Sequence, residues 1–260
     1  MAEINLKNIN KSYDNPYTEV LSNISLNIKQ GEFVVLFGPN GCGKTTLLNI
    51  ISGIDTNFSG EVNIGNKYPS EARISMVFQN VHDSTFPWQT VLENVAFGLH
   101  MGGKSKEFRH KEALKYLELA NLTSHKDKYV YQLSGGLKQL SSICRALAYN
   151  PEVMLFDEPF SSLDYKASKK MALQLLDIWE KTKKTTVFIS HDVDEAILLA
   201  DKIAILSDRP AKIKAIIDVR LDRPRNLSQM KTRTFFDIRN KVLSSFLKNN
   251  RTNGGNKNET

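Results

Sequence analysis

The sequence predicts an α/β protein with an antiparallel strand group near its N-terminus and a helical subdomain inserted into its core. Three observations predict it. Short unbroken apolar runs, Phe33–Phe37 and Val153–Phe156 foremost, read as strands buried on both faces, as in a parallel sheet. Helical periodicity lies between such runs, as the crossovers of a parallel sheet require. From about Val91 to Leu133 the pattern is helical only, with no convincing strand.

Taken in order, Ile4 to Ile9 and Ile24–Ile28 alternate apolar with polar residues, as half-buried strands do. Phe33–Phe37 is the first buried strand. A helix follows over Thr45–Ile51, where Leu47, Leu48, Ile50 and Ile51 recur at helical spacing. A short apolar run, Met76-Val77-Phe78, precedes the helical stretch. A helix at Leu137–Tyr149 leads into the strand Val153–Phe156, and another at Lys166–Lys181 precedes the strands Val187–Ile189 and Ile203–Leu206. After Asp208 come a short strand, Ile213–Val219, and one amphipathic helix, about Leu227–Leu247. Residues 249–260 are polar and rich in Gly and Asn, the composition of a disordered tail. No internal repeat is visible, so one nucleotide site of a kind is expected.

Composition narrows the class. With 41% hydrophobic and 24% charged residues in 260, the chain reads as globular. No apolar run approaches the ~20 residues that span a bilayer, and the N-terminus does not open as a secretory signal, so residence in the cytosol is expected. Cys42 and Cys144 have neither metal nor redox spacing; the first is expected to serve through its backbone N–H, the second as a small core side chain. From Arg209 onward, 13 Lys and Arg face 4 Asp and Glu, whereas the first 208 residues hold 22 against 24. Aromatic platforms are scarce in the basic stretch, so no nucleic-acid partner is expected. A solvated surface, or one facing anionic lipid or an acidic partner, fits it better.

The chemistry concentrates in Gly38-Pro39-Asn40-Gly41-Cys42-Gly43-Lys44-Thr45-Thr46, a match to the phosphate-binding loop G-x-x-x-x-G-K-[ST]. It lies between a buried strand and a helix, where backbone N–H groups and the helix dipole converge on an anion. Lys44 is placed to reach the β- and γ-phosphates of a nucleoside triphosphate, and the Thr45 hydroxyl to complete a Mg²⁺ shell. The strand Val153–Phe156 ends in Asp157-Glu158; beside a phosphate loop, Asp157 can hold Mg²⁺ and Glu158 can polarise the attacking water. Gln79 follows a strand and can bring an amide to metal or water, though alone it is an ordinary loop residue. His191 also stands at a strand end, where open α/β sheets gather ligands; by itself it is as well read as structural. Leu133-Ser134-Gly135-Gly136-Leu137-Lys138-Gln139 sets Ser and two Gly before a helix, a second anion site. One nucleotide does not need two cradles in one chain; two chains facing head to tail do.

On these motifs the chain resembles the ATP-binding subunit of an ABC transporter, over about residues 3 to 220. Gly38–Thr46 is similar to the family's Walker A, Gln79 to its Q-loop, Leu133–Gln139 to its signature, and Val153–Glu158 to its Walker B. Ser161-Ser162-Leu163-Asp164 resembles the D-loop and His191 the switch histidine; Tyr13 falls where the family stacks an aromatic on adenine. The resemblance implies a P-loop, RecA-like core over residues 3–225, with the helical subdomain at about 91–150; the C-terminal helix, read from its pattern, occupies 226–248 beyond it. It implies ATP and Mg²⁺ as cofactors, Gln79, Glu158 and His191 at the reacting phosphate, and Thr45, Gln79 and Asp157 around the metal. Ser134, Gly135, Gly136 and Gln139 would cap the nucleotide of the other copy in a homodimer. Integral-membrane permease subunits and, indirectly, an extracytoplasmic solute-binding protein are the implied partners, at the cytoplasmic face of the membrane. Two stretches, Phe86–Leu99 and Leu206–Pro210, are similar to the importers of nitrate, sulfonates and taurine. A soluble ABC ATPase of repair or translation, or an exporter subunit, is the alternative. Phe86, Pro87 and Trp88 are read either as a permease contact or as plain core. One departure stands out: Leu140 replaces the usual Arg, which puts the salt bridges of that helix in question.

Overall fold

Strand β3 (Phe33–Phe37) sits inside a six-stranded sheet, and its surroundings show why its sequence is an unbroken apolar run. The computed structural model describes residues 2–14, 16–80, 84–100 and 103–248. Among these, β5 (Ile74–Val77), β6 (Val153–Asp157), β7 (Thr185–Ser190), β3, β8 (Lys202–Leu206) and β9 (Ile213–Asp218) lie side by side in that order. All pair in parallel except β9, which runs antiparallel to β8. Alternate residues serve opposite faces, as the strand period of two demands. Phe33, Val35 and Phe37 join Phe156, Phe188 and Ile203 in one core; Val34 and Leu36 join Leu155, Val187 and Ile189 in the other. Every residue of β3 is accordingly apolar and buried.

The second core is closed by helix α1 (Lys44–Ser52) and by a three-stranded antiparallel sheet of order β2 (Tyr17–Ile28), β1 (Ile4–Asp14), β4 (Ser59–Ile64). Ile4 of β1 pairs with Ile28 on one side and Ile64 on the other, and all three are buried. Strand β4 has no counterpart in the sequence reading. Its first half, Ser59-Gly60-Glu61, is exposed, and a register shift between Lys7 and Asn10 accommodates Gly60 at φ +107°. A Cβ there would lie 2.5 Å from the Asn8 carbonyl, so glycine is required where an alternating pattern would have revealed a strand.

Between β5 and β6 the chain is helical, as expected: α2 (Val91–Phe97), α3 (Lys106–Leu119) and α4 (Gly135–Ala148) pack together and send Val95, Leu117 and Ile143 into the first core. Thr90 starts α2 with a reciprocal cap, its hydroxyl accepting from the Glu93 N–H while the Glu93 carboxylate accepts from the Thr90 N–H. The Thr90 N–H and hydroxyl, both donating to the Glu93 carboxylate, hold it below its ordinary range. Leu140 is buried in this core, so the position that could have carried an ion pair is a packing site instead.

The rest of the first face is covered by α5 (Tyr165–Thr182), the short α6 (Val193–Leu199) and α7 (Arg233–Leu247). The single C-terminal helix expected over about 227–247 is broken in two. Leu227–Lys231 forms one 3₁₀ turn capped by Asn226, and Thr232 then takes an extended backbone and caps α7, accepting from the Phe235 N–H. Part of the basic excess of this region is internal scaffolding. Arg225 is buried and donates to the carbonyls of Ile197, Leu198 and Ala200 at 2.8–3.0 Å, closing the C-terminal end of α6. Burial pushes its pKa down to about 10. The segment expected to be disordered, residues 249–260, lies outside the described residues. No helix among the described residues is long and apolar enough to cross a membrane.

Candidate functional site

Strand register brings the site together. Phe37 lies opposite Ser190, Asp157 opposite Ile189, and Val77 opposite Phe156. The residues that follow each strand, Gly38, Glu158, His191 and Gln79, therefore leave the sheet along one edge. That edge is the carboxyl end of the parallel strands, where α/β sheets bind ligands.

The loop after β3 is shaped by its glycines. Gly41 adopts φ +74° and Gly43 φ +121°; a Cβ on Gly43 would lie 2.8 Å from Val20 Cγ1 and 2.9 Å from Leu21 Cδ2 of β2. The antiparallel sheet is thus the wall against which the loop turns. Lys44, only 5% exposed, donates to the carbonyls of Gly38 and Pro39 at 3.0 and 2.9 Å. Its Nζ stands 3.9 Å from Glu158 Oε1. The Cys42 N–H donates to the Pro39 carbonyl at 3.3 Å, so that group closes the loop on itself. Cys42 and Cys144 are both buried, and desolvation raises both thiols, Cys144 to about 12.

Thr45 Oγ1 donates to Asp157 Oδ1 at 3.2 Å. Burial pushes the Asp157 carboxyl up; the Thr45 bond opposes this, and the neighbouring Glu158 charge adds to it. A desolvated carboxylate beside a hydroxyl is an oxygen-only donor pair suited to a hard dication. Glu158 adopts φ +45°, an uncommon backbone for a non-glycine residue, and its Oε2 meets His191 Nδ1 at 3.0 Å. Gln79 Nε2 donates to Ser161 Oγ at 3.0 Å, and Ser161 Oγ donates to the Glu158 carbonyl at 2.9 Å. Sequence reasoning placed Ser161 in a loop motif but gave it no role; its link to both Gln79 and Glu158 depends on β5 and β6 being neighbours.

The other predicted cluster lies at the start of α4. Ser134 is its N-cap residue, yet its side chain accepts no bond from that helix. Ser134 and Gly135 are exposed, whereas a Cβ on Gly136 would lie 3.0 Å from Met171 Sδ. Gln139 is 2% exposed, and its Nε2 has no hydrogen-bond partner among the described residues. Gln79, Gly135, Gln139 and Leu163 line one cleft of about 390 Å³. Tyr13 lies 46% exposed on β1 with Lys11 Nζ 4.7 Å from its ring centroid. Phe86 packs edge-on against Phe97 at 4.6 Å beneath the Arg145 guanidinium, while Trp88 is 72% exposed. Trp88 is therefore not core.

This edge carries a phosphate-loop lysine, a strand-end carboxylate pair and a histidine on the second carboxylate. Residues 21–161 match the family model described as ABC transporter. The chain belongs to the ABC transporter family. It is an ATP-binding cassette and an ATP hydrolase, the ATPase subunit of a transporter. The cassette is 40% identical to the ABC transporter ATP-binding protein MJ0412 of Methanocaldococcus jannaschii over 94% of this chain and 91% of that one. It is 39% identical to the aliphatic sulfonates import ATP-binding protein SsuB of Bacillus cereus, over 88% of each. Among solved structures it is similar to the dimeric bacterial cassette MJ0796, with TM-score 0.72 and 36% identity, covering 84% of this chain and 100% of that one. A second structure of that cassette, a post-hydrolysis state bound to ADP and Pi, is similar at TM-score 0.71 and 35% identity over the same shares.

Proposed function

We propose that this cassette works as a homodimer with ATP at the shared interface, and that it energises an importer of a sulfonate, taurine, nitrate or similar small solute. Lys44 and backbone N–H groups of the loop hold the phosphates, Pro39 having none to offer. Thr45, Asp157 and Gln79 hold Mg²⁺, which supplies charge neutralisation on the phosphates. Glu158 accepts the proton of the attacking water; its position between Lys44 at 3.9 Å and His191 at 3.0 Å keeps the carboxylate aimed at that place. His191, exposed and engaged by Glu158 at one ring nitrogen, meets the γ-phosphate with the other. Tyr13 stacks on the adenine. Ser134, Gly135 and Gly136 cap the ATP of the other copy, and Gln139 supports them from below.

The observation that carries the importer reading is the exposed Trp88 beside Phe86 in the stretch that follows Gln79, in a chain 39% identical to a sulfonate importer's ATP-binding protein. Such an aromatic anchor contributes about 2 kcal/mol or more when it fills a partner's pocket. The cassette would dock there on permease subunits at the cytoplasmic face of the membrane, with an extracytoplasmic solute-binding protein delivering the solute. Phe86→Ala with Trp88→Ala, co-expressed with candidate permease subunits, is expected to release the protein from the membrane fraction with ATPase activity near normal. Wild-type protein that never co-purifies with a permease would end the importer reading.

A further inference from the structure

The turn carrying His191 is held by a buried polar cluster that the hydrolysis chemistry above does not use. Ser190, at the end of β7, donates from its hydroxyl to Glu195 Oε2. Ser168, on α5, donates to Glu195 Oε1 at 3.0 Å. Lys169, the next residue of α5, donates to Asp192 Oδ2 at 2.6 Å, and Asp192 Oδ1 accepts from the Glu195 N–H at 2.9 Å. The Asp192 N–H in turn donates to Ser190 Oγ at 3.0 Å. Ser168, Lys169, Ser190 and Glu195 are 8%, 2%, 2% and 5% exposed. Both chain neighbours of His191, residues 190 and 192, are thus tied to α5 and α6, while His191 itself stays exposed against Glu158.

A buried lysine is a costly way to gain stability, since desolvation offsets most of the attraction. What such a pair does supply is one geometry. The helix that provides it begins two residues after Leu163, just past the turn that hydrogen-bonds Glu158 through Ser161. One rigid element therefore starts at the turn after Glu158 and ends its grip at the turn carrying His191. Burial also raises the Glu195 carboxyl, and the two hydroxyl bonds and the Lys169 charge oppose that rise.

We propose that Lys169 and Glu195 are positioning residues for His191: they hold its turn at the distance from Glu158 that hydrolysis requires. The proposal rests on the role given above to His191, and the test separates the two. Full-length protein is assayed for ATP hydrolysis, by kcat and KM, with nucleotide affinity measured independently. Lys169→Met is expected to lower kcat about 10-fold with KM within about twofold, because binding through the phosphate loop is untouched. Glu195→Ala is expected to act likewise, and Glu195→Gln, which keeps an acceptor in the same place, to recover most of the activity. Placed on His191→Ala, Lys169→Met should cost less than about twofold further, since it acts through a side chain already removed. The same 10-fold loss with and without His191 would overturn the proposal, as would unchanged kcat in folded Lys169→Met. Should Lys169→Met fail to fold, Asp192→Asn breaks the same ion pair and is read by the same two comparisons. If His191→Ala alone leaves kcat unchanged, the role of His191 falls and this proposal with it.

Discussion

Two helices of this cassette begin on glycines, and they are finished differently. At α1 the loop is walled in by Val20 and Leu21, and Lys44 is buried with two carbonyl partners and Glu158 close by. At α4, Ser134 and Gly135 lie in solvent, the Ser134 hydroxyl caps nothing in its own helix, and the Gln139 amide beneath has no partner among the described residues. Both termini offer N–H groups and a positive dipole end. Among the described residues, the first has Glu158, the hydrogen-bonded pair of Thr45 and Asp157, and His191 gathered beside it. The difference teaches that a helix N-terminus becomes a reaction site through what its sheet neighbours bring. In the proposed homodimer, the second terminus would serve as a lid for a phosphate held by the other copy.

The sharpest way to break this contrast is at Glu158. Glu158→Gln is expected to keep ATP affinity and slow hydrolysis about 10²–10⁴-fold, as measured by single-turnover assay. Normal turnover in that variant would remove Glu158 from the mechanism. Lys44→Ala should instead weaken ATP binding by about 10–100-fold, because it deletes a charged hydrogen bond to phosphate worth about 1.5–3 kcal/mol. Titration calorimetry reads the difference. Structure separates the two termini next. Gly43→Ala must accept a φ of +121° and a contact of 2.8 Å, so it should cost about 1–3 kcal/mol in denaturant unfolding. Ser134→Ala should change stability by less than about 0.5 kcal/mol. Equal costs at the two sites would erase the distinction.

A smaller effect concerns Asp157. Its folded-state pKa lies above the ordinary 3.8, so the folded protein holds that proton more tightly than the unfolded chain. The contribution to stability is present at low pH and lost as pH rises through the raised value. Asp157→Asn, neutral at every pH, should therefore melt higher near neutral pH without nucleotide, while Mg²⁺-dependent hydrolysis falls. A lower melting temperature would mean that the charged carboxylate is stabilising there.

How far the sequence revealed all this follows from how local each feature is. The phosphate loop is nine consecutive residues between a strand and a helix, so its place and its glycine requirement were legible at once. The double burial of β3, β6 and β7 was legible because each face leaves an apolar residue in the run. Strand β4 was not, because a glycine bulge against Asn8 interrupts its alternation. The C-terminal helix was drawn too long, because Thr232 is as good an N-cap as it is a surface helix residue. The grip of Ser168 and Lys169 on the His191 turn was invisible: it joins residues 23 and 27 apart, and those positions look like a polar helix face until α5 is laid against α6. Tyr13 stands out only by resemblance.

The central claim is that the cradle at Ser134 is completed by another copy's nucleotide. Multi-angle light scattering of purified Glu158→Gln protein tests it directly. The mass should double with ATP and stay that of one chain with ADP, and Ser134→Arg added to Glu158→Gln should keep it at one chain with ATP as well, by placing bulk where the shared γ-phosphate sits. A mass that does not respond to ATP, or that doubles regardless of Ser134→Arg, would contradict the shared site.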